Sequence, residues 1–215
     1  LPLVEAGLGE ALLRFLDLVN SNADNQTIET AVKRDALVSL NLLRLVNSRA
    51  VPGPRIESLS QALAVLGRRQ LGRWLQILLY TAAGAQVSLH SPLLQLATTR
   101  GKLLELMTLR VRPGDTASAD RAFTVGIMSL AEALFSVRMA DILVHVEVAH
   151  DVRDALIDRD GDFGTMLRIA ELLETAVGGR KLNVELKKIG LTVPEVREIE
   201  LAAFDWVREL THDVR

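Results

Sequence analysis

The sequence predicts an all-α protein, and three observations carry that prediction. Of its 215 residues 49% are hydrophobic but only 4% aromatic. The core is therefore Leu, Val, Ile and Ala, whereas strands favour β-branched and aromatic side chains. Apolar residues recur at helical spacing along nearly the whole chain, and no segment alternates with period two. Helix-start signatures stand where the periodic runs begin. About ten helices are expected, in one compact multi-helix domain over residues 1–215.

Leu8, Leu12, Phe15, Leu16 and Val19 share one face of a first helix, which Asn20-Ser-Asn-Ala-Asp24 interrupts. Thr27 to Arg34 is a short second helix through Ile28, Ala31 and Val32. Asp35 is a fair N-cap for a third, with Leu37, Leu40, Leu43, Leu45 and Val46 inward. Val51-Pro-Gly-Pro54 stops it, because proline fixes φ and donates no amide hydrogen. Ser58-Leu-Ser-Gln61 restarts the helix as a capping box, and Gly67 ends that helix or permits close packing. Leu71, Leu75, Leu78 and Leu79 form the next buried stripe, with Arg69, Arg73 and Gln76 opposite.

Ser91-Pro92, a cap followed by proline at the first helical position, opens a long helix to about Arg110. Arg112-Pro-Gly-Asp115 is a turn. A helix follows from Asp120 to Val137 on Phe123, Ile127, Leu130 and Leu134. Short helices near Met139–Val146 and Asp151–Asp158 precede a longer one from Asp162 to Val177. Thr192-Val-Pro-Glu195 is a second capping box, leading into a final helix through Ile199, Ala203, Trp206 and Leu210.

Composition excludes several kinds of chemistry. With no cysteine there is no disulfide, thiolate zinc site or thiol nucleophile, and four histidines are a thin supply for a metalloenzyme. The net charge of −2 averages two unlike halves. Residues 1–110 carry 12 Lys+Arg against 8 Asp+Glu, and residues 111–215 carry 13 against 19. That balance argues against a strongly basic nucleic-acid binder. No signal peptide is visible, and the apolar run Ile77–Ala85 is far short of the roughly 20 residues of a membrane span. A soluble, cytoplasmic chain is expected. Its start at Leu1 fits a piece of a longer polypeptide.

Candidate chemistry is sparse. His150-Asp151 matches the adjacent pair of metal-dependent HD phosphohydrolases, in which several ligands must converge on one divalent cation. His145 lies five residues earlier, about 500° around a helix, and so shares no face with His150. His90 stands in the loop before the Ser91-Pro92 start. The bland reading is a first-turn carboxylate complementing a helix dipole. Asp158-Arg-Asp160-Gly-Asp162 resembles the opening of a calcium loop, but Phe163 and Ile169 hold the positions that need Gly and Glu. Asp162-Phe-Gly164 lacks every companion motif of a kinase. Arg44, Arg49, Arg55, Arg68, Arg69 and Arg73 form a cationic stretch holding one acid, Glu57. It is either a solvated face or a surface for an acidic partner or a phosphorylated ligand.

Leu42-Leu-Arg-Leu-Val-Asn-Ser48, the Pro-Gly-Pro loop, Ile56-Glu-Ser-Leu-Ser-Gln-Ala-Leu63 and Leu66-Gly67 together resemble the HDOD domain, the HD-related output domain of bacterial signalling proteins. Within that pattern Asn47 suits a left-handed helix end, next to Ser48, while Ser58 and Gln61 cap the next helix. Ala122-Phe-Thr-Val-Gly-Ile-Met128 is similar to the helix that leads into the HD dyad, but the two residues after it are Ser129 and Leu130. Val148 to Leu156, Arg159 to Gly164 and Leu167 to Glu174 resemble the form of HDOD found after an EAL domain, a cyclic di-GMP phosphodiesterase or a degenerate version of one. The resemblance spans residues 8–175, and 176–215 fit a helical C-terminal extension.

The resemblance implies a non-catalytic regulatory domain with no metal and no cofactor. Its partner would be an EAL domain in cis, another signalling protein or a second copy, without membrane or nucleic acid. The alternatives are a divergent phosphohydrolase rebuilt from His145, His150, Asp151 and the Asp158–Asp162 carboxylates, or a nucleotide sensor using the arginines.

Overall fold

The computed structural model describes residues 14–15, 17–21, 23–33, 39, 42–43, 46–47, 55–79, 92–144, 146, 148–175 and 179–212. Among these there is helix and no strand. Residues 17–20 are helical, with Phe15 and Val19 buried nearby. The helices are α1 (Asn25–Lys33), α2 (Leu59–Leu79), α3 (Pro92–Val111), α4 (Thr116–Met128), α5 (Ala131–Phe135), α6 (Met139–Ile142), α7 (His150–Ile157), α8 (Gly161–Glu174), α9 (Gly179–Lys188) and α10 (Val193–His212). Asp35, Ser48 and the Val51–Pro54 stop lie outside the described residues.

Local chemistry sets most boundaries. α1 begins before Thr27 because Asp24 caps it, its carboxylate accepting from the Thr27 amide at 2.9 Å and the Thr27 hydroxyl at 2.6 Å. Ser58 accepts from the Gln61 amide at 3.1 Å, and Gln61 Oε1 accepts from the Glu57 amide at 2.9 Å, so the first capping box forms. The second also forms, with Glu195 accepting from the amide and hydroxyl of Thr192 at 3.0 and 2.7 Å. Asp115 accepts from the Ser118 amide at 3.0 Å and starts α4 at Thr116 rather than at Asp120.

Four sequence expectations need correction. The helix expected over Asp120–Val137 is two, because Leu130 leaves helical geometry (φ −105°, ψ 5°) and Ser136 is left-handed. A helix not anticipated, α9, buries only Leu182 and Leu186, a stripe too thin to stand out. Asn47 is not among the described residues with positive φ. Its side chain instead clamps the following segment, taking the Ile56 amide at 2.8 Å and donating to the carbonyls of Ile56 and Leu43 at 2.7 Å. Finally, Arg73 and Gln76 do not face water: both are largely covered by neighbouring helices.

The Asn47 clamp gives a direct test. Ile56 is buried, so Asn47→Ala would strand its amide and carbonyl together. The loss should be about 2–6 kcal/mol in urea denaturation, at roughly 1–3 kcal/mol for each unsatisfied group. A change below about 0.5 kcal/mol would show that water replaces the amide side chain.

Within α2, Gly67 has φ 74° and ψ 167°, a mirror-image extended conformation that only glycine adopts at low cost. It divides the capped first half from the buried second half, in which Leu71, Trp74, Leu75, Ile77 and Leu78 all face inward. α3 and α4 pack most extensively. Their crossing depends on Gly126, where a Cβ would stand 2.5 Å from the backbone carbonyl of Arg100. α10 lies on α3, and Trp206 stacks on Trp74 of α2 with ring centroids 6.2 Å apart. One buried cluster runs from Phe15 to Leu210.

Candidate functional site

Close approach at Gly126 brings the α3 residue Arg100 beside the end of α4. Its Nη1 donates to Ser129 Oγ at 3.0 Å, and that hydroxyl donates in turn to the Gly126 carbonyl at 2.7 Å. The other edge of the guanidinium forks onto Glu174 of α8, with Nε and Nη2 each 2.6 Å from a carboxylate oxygen. The Arg100 side chain is 10% exposed and that of Glu174 28%. A bidentate pair of this kind fixes angle as well as distance. Three helices are tied at one point.

Ser129 and Leu130 are the positions at which the HD resemblance would place the dyad. The residues present do not fit a divalent cation there. The serine hydroxyl already makes two hydrogen bonds, leucine offers no donor atom, and the adjacent guanidinium would repel a metal.

His150 and Asp151 open α7 and are exposed. Asp151 pairs with Arg121 at 2.9 Å and accepts from the Val152 amide, while Asp162 pairs with Arg112. Asp158 and Asp160 are exposed turn residues around left-handed Arg159 and Gly161. His145 and His90 lie outside the described residues. Among the described residues no group of three His, Asp or Glu side chains is placed to hold a metal ion.

The arginine stretch divides by depth. Arg44 and Arg49 lie outside the described residues, and Arg55 is exposed. Arg68 donates to Asn25 at 3.1 Å, and Arg69 pairs with Asp120 at 2.7 Å while its side chain stays 56% exposed. Arg73 is interior: it forks onto Glu105 at 3.0 and 2.6 Å, lies 3.5 Å from Asp120 and sits 3.9 Å over the Phe123 ring. Lys102 adds a contact to Glu105 at 3.1 Å. Nearby, Gln76 donates to Thr124 at 3.1 Å.

Two carboxylates in this cluster respond oppositely. Burial pushes Glu105 up, but hydrogen bonding and charge from Arg73, aided by Lys102, outweigh it and hold the group below its ordinary value. Burial also pushes Asp120 up, and there Arg69 and Arg73 do not bring it back, with Glu105 adding repulsion. The sequence located these arginines but not their partners, which sit 32 to 51 positions away on α3 and α4.

Fold and site together define an all-helical domain whose α3, α4 and α8 are joined by a buried arginine. Comparison with known proteins then fixes the family. The model of the HDOD domain matches residues 8–129, more than half of the chain, and the protein belongs to that family. The cyclic di-GMP phosphodiesterase CdgJ of Vibrio cholerae is 27% identical over 203 residues, covering 93% of this chain and 45% of that protein. The protein YuxH of Bacillus subtilis is 26% identical over 209 residues, covering 91% and 48%. The chain thus spans about half the length of these curated relatives. A crystal structure from Shewanella amazonensis, described as a phosphohydrolase, superposes with a TM-score of 0.60 at 14% identity, covering 95% of this chain and 93% of that one. It shows a shared fold. Among the described residues no helix is long and apolar enough to cross a membrane.

Proposed function

We propose that this HDOD chain is a non-catalytic regulatory module, acting by protein–protein or interdomain contact on an EAL domain of the same polypeptide. The observation that carries the reading is the Arg100 clamp: a cation held by Ser129 and Glu174 stands beside the positions where a metal dyad would be needed. Kinship to a cyclic di-GMP phosphodiesterase about twice as long supports a role beside a second domain. Within the arginine stretch, contact would rest on exposed Arg55 and the outer part of Arg69, since Arg73 is committed to Glu105. The whole chain, 176–215 included, would act as one unit, because Trp206 is stacked on Trp74.

Metal analysis and hydrolysis assays test this. The purified chain should hold no stoichiometric divalent metal and should turn over neither cyclic di-GMP nor simple phosphodiesters. One metal per chain, with turnover abolished by His150→Ala or Asp151→Asn, would establish the divergent phosphohydrolase instead.

A further inference from the structure

Two surface features along the solvent side of α8 take no part in the Arg100 clamp or the Arg73 cluster. The first is a groove of about 500 Å³ between α8 and α9. Leu172 and Val184, the latter 52% exposed, give it an apolar floor, and Arg180 and Lys181 form its rim. Neither cation has a carboxylate partner among the described residues. Both occupy the first turn of α9, where positive charge opposes the helix dipole and adds nothing to helix stability. An external anion would relieve that placement.

The second feature is the corner at which α7 turns into α8. Asp154, Ile157 and Asp158 stand at i, i+3 and i+4 and so lie together, with Asp160 just beyond. Ile157 is 39% exposed. Asp151 and Asp162 find arginines, but Asp154, Asp158 and Asp160 have no cationic partner among the described residues. With neighbouring Arg153 counted, the corner is net negative by two charges, whereas the groove, lined by Arg168, Arg180 and Lys181 together with Glu171 and Glu185, is net positive by one. Arg159 links the two features: its guanidinium reaches Glu171 at 3.2 Å, and its carbonyl accepts from Arg168, which lines the groove. Arg159 therefore lies between the corner and the groove.

A face carrying a patch and its complement satisfies the condition for a two-fold contact, in which the patch of each copy meets the complement of the other. We propose that two copies of this chain pair with their α8 helices antiparallel, seating Ile157 of each on the Leu172–Val184 floor of the other. Asp154 and Asp158 then face Arg180 and Lys181 across both halves of the contact. The arrangement is independent of whether the domain is regulatory or catalytic, since it is read on this chain alone.

Sedimentation velocity on the 215-residue chain tests it. A dimer is expected in about 20 mM salt, with its dissociation constant rising roughly tenfold or more by about 500 mM as screening shortens the reach of the charges. Arg180→Glu with Lys181→Glu, and separately Asp154→Lys with Asp158→Lys, should each sediment as folded monomers with unchanged circular dichroism. An equimolar mixture of the two variants should re-form the dimer, because each reversed groove then meets a reversed corner. A monomeric parent chain in low salt, a dimer indifferent to either variant, a mixture that stays monomeric, or open-ended polymers would each overturn the proposal.

Discussion

Replacing Arg73 with leucine is expected to lower folding stability by about 3–5 kcal/mol, the usual result of removing one member of a buried ion pair. The Arg73 side chain is 11% exposed and that of Glu105 10%, so water cannot easily take the place of the guanidinium. Its stack on Phe123 would be lost as well. Lys102 remains at 3.1 Å from Glu105 and keeps the loss from being larger. Thermal unfolding should fall by about 6–20 °C, since 1 kcal/mol moves a domain of this size by roughly 2–4 °C.

The pH dependence separates a charge effect from lost packing. In the parent chain Glu105 is held below the ordinary glutamate value, so its contribution is present at neutral pH and is lost as pH falls through the lowered value. Asp120 is raised, so its charged form costs stability at neutral pH, and acidification through its raised value relieves that cost. Without Arg73, burial dominates at Glu105 too, and protonation would then help. The gap between Arg73→Leu and parent should narrow as pH falls, beginning where the raised Glu105 of the variant protonates and continuing through the lowered value of the parent. A gap that stays constant would mean that shape, not charge, sets the penalty.

Arg100→Leu is expected to cost somewhat less, about 2–4 kcal/mol, because Glu174 can recover part of its hydration. Ser129 would lose its donor, and the link from α3 to α8 would go with it. Arg100→Lys should recover only part of the loss, since an ammonium group cannot fork onto both carboxylate oxygens. Replacing Arg100 and Glu174 together with leucines should be milder than Arg100→Leu alone, because no carboxylate is then left without its partner. Chemical denaturation of the single and double variants checks this. Additive losses would show that the pair is not coupled.

Features written within one turn of chain were legible. Ser58 with Gln61 and Thr192 with Glu195 cap their helices because each signature acts over three residues. Features created by distant partners were not. Gln76 falls on the polar side of its stripe, and nothing near it in sequence shows that Thr124 will meet it. The break after Met128 comes at Leu130, next to a serine whose hydroxyl is held by a residue 29 positions earlier. Asn47 was singled out as a motif residue, but its work is done across nine residues rather than at its own φ. The resemblance marked Ser129 and Leu130 as the place to look, and only the packing of α3 against α4 shows which side chain stands there.

The Arg100–Glu174 link also bears on how the chain comes into being. A polypeptide leaving the ribosome completes residues 8–129, the portion that the family model matches, well before Glu174 exists. During that interval Arg100 has no carboxylate to fork onto, and the face of Trp74 is open until Trp206 arrives. Synthesis of the 86 residues from 130 to 215 takes roughly 4–17 s at about 5–20 residues per second. For that time the Trp74 face of the first helices stays uncovered.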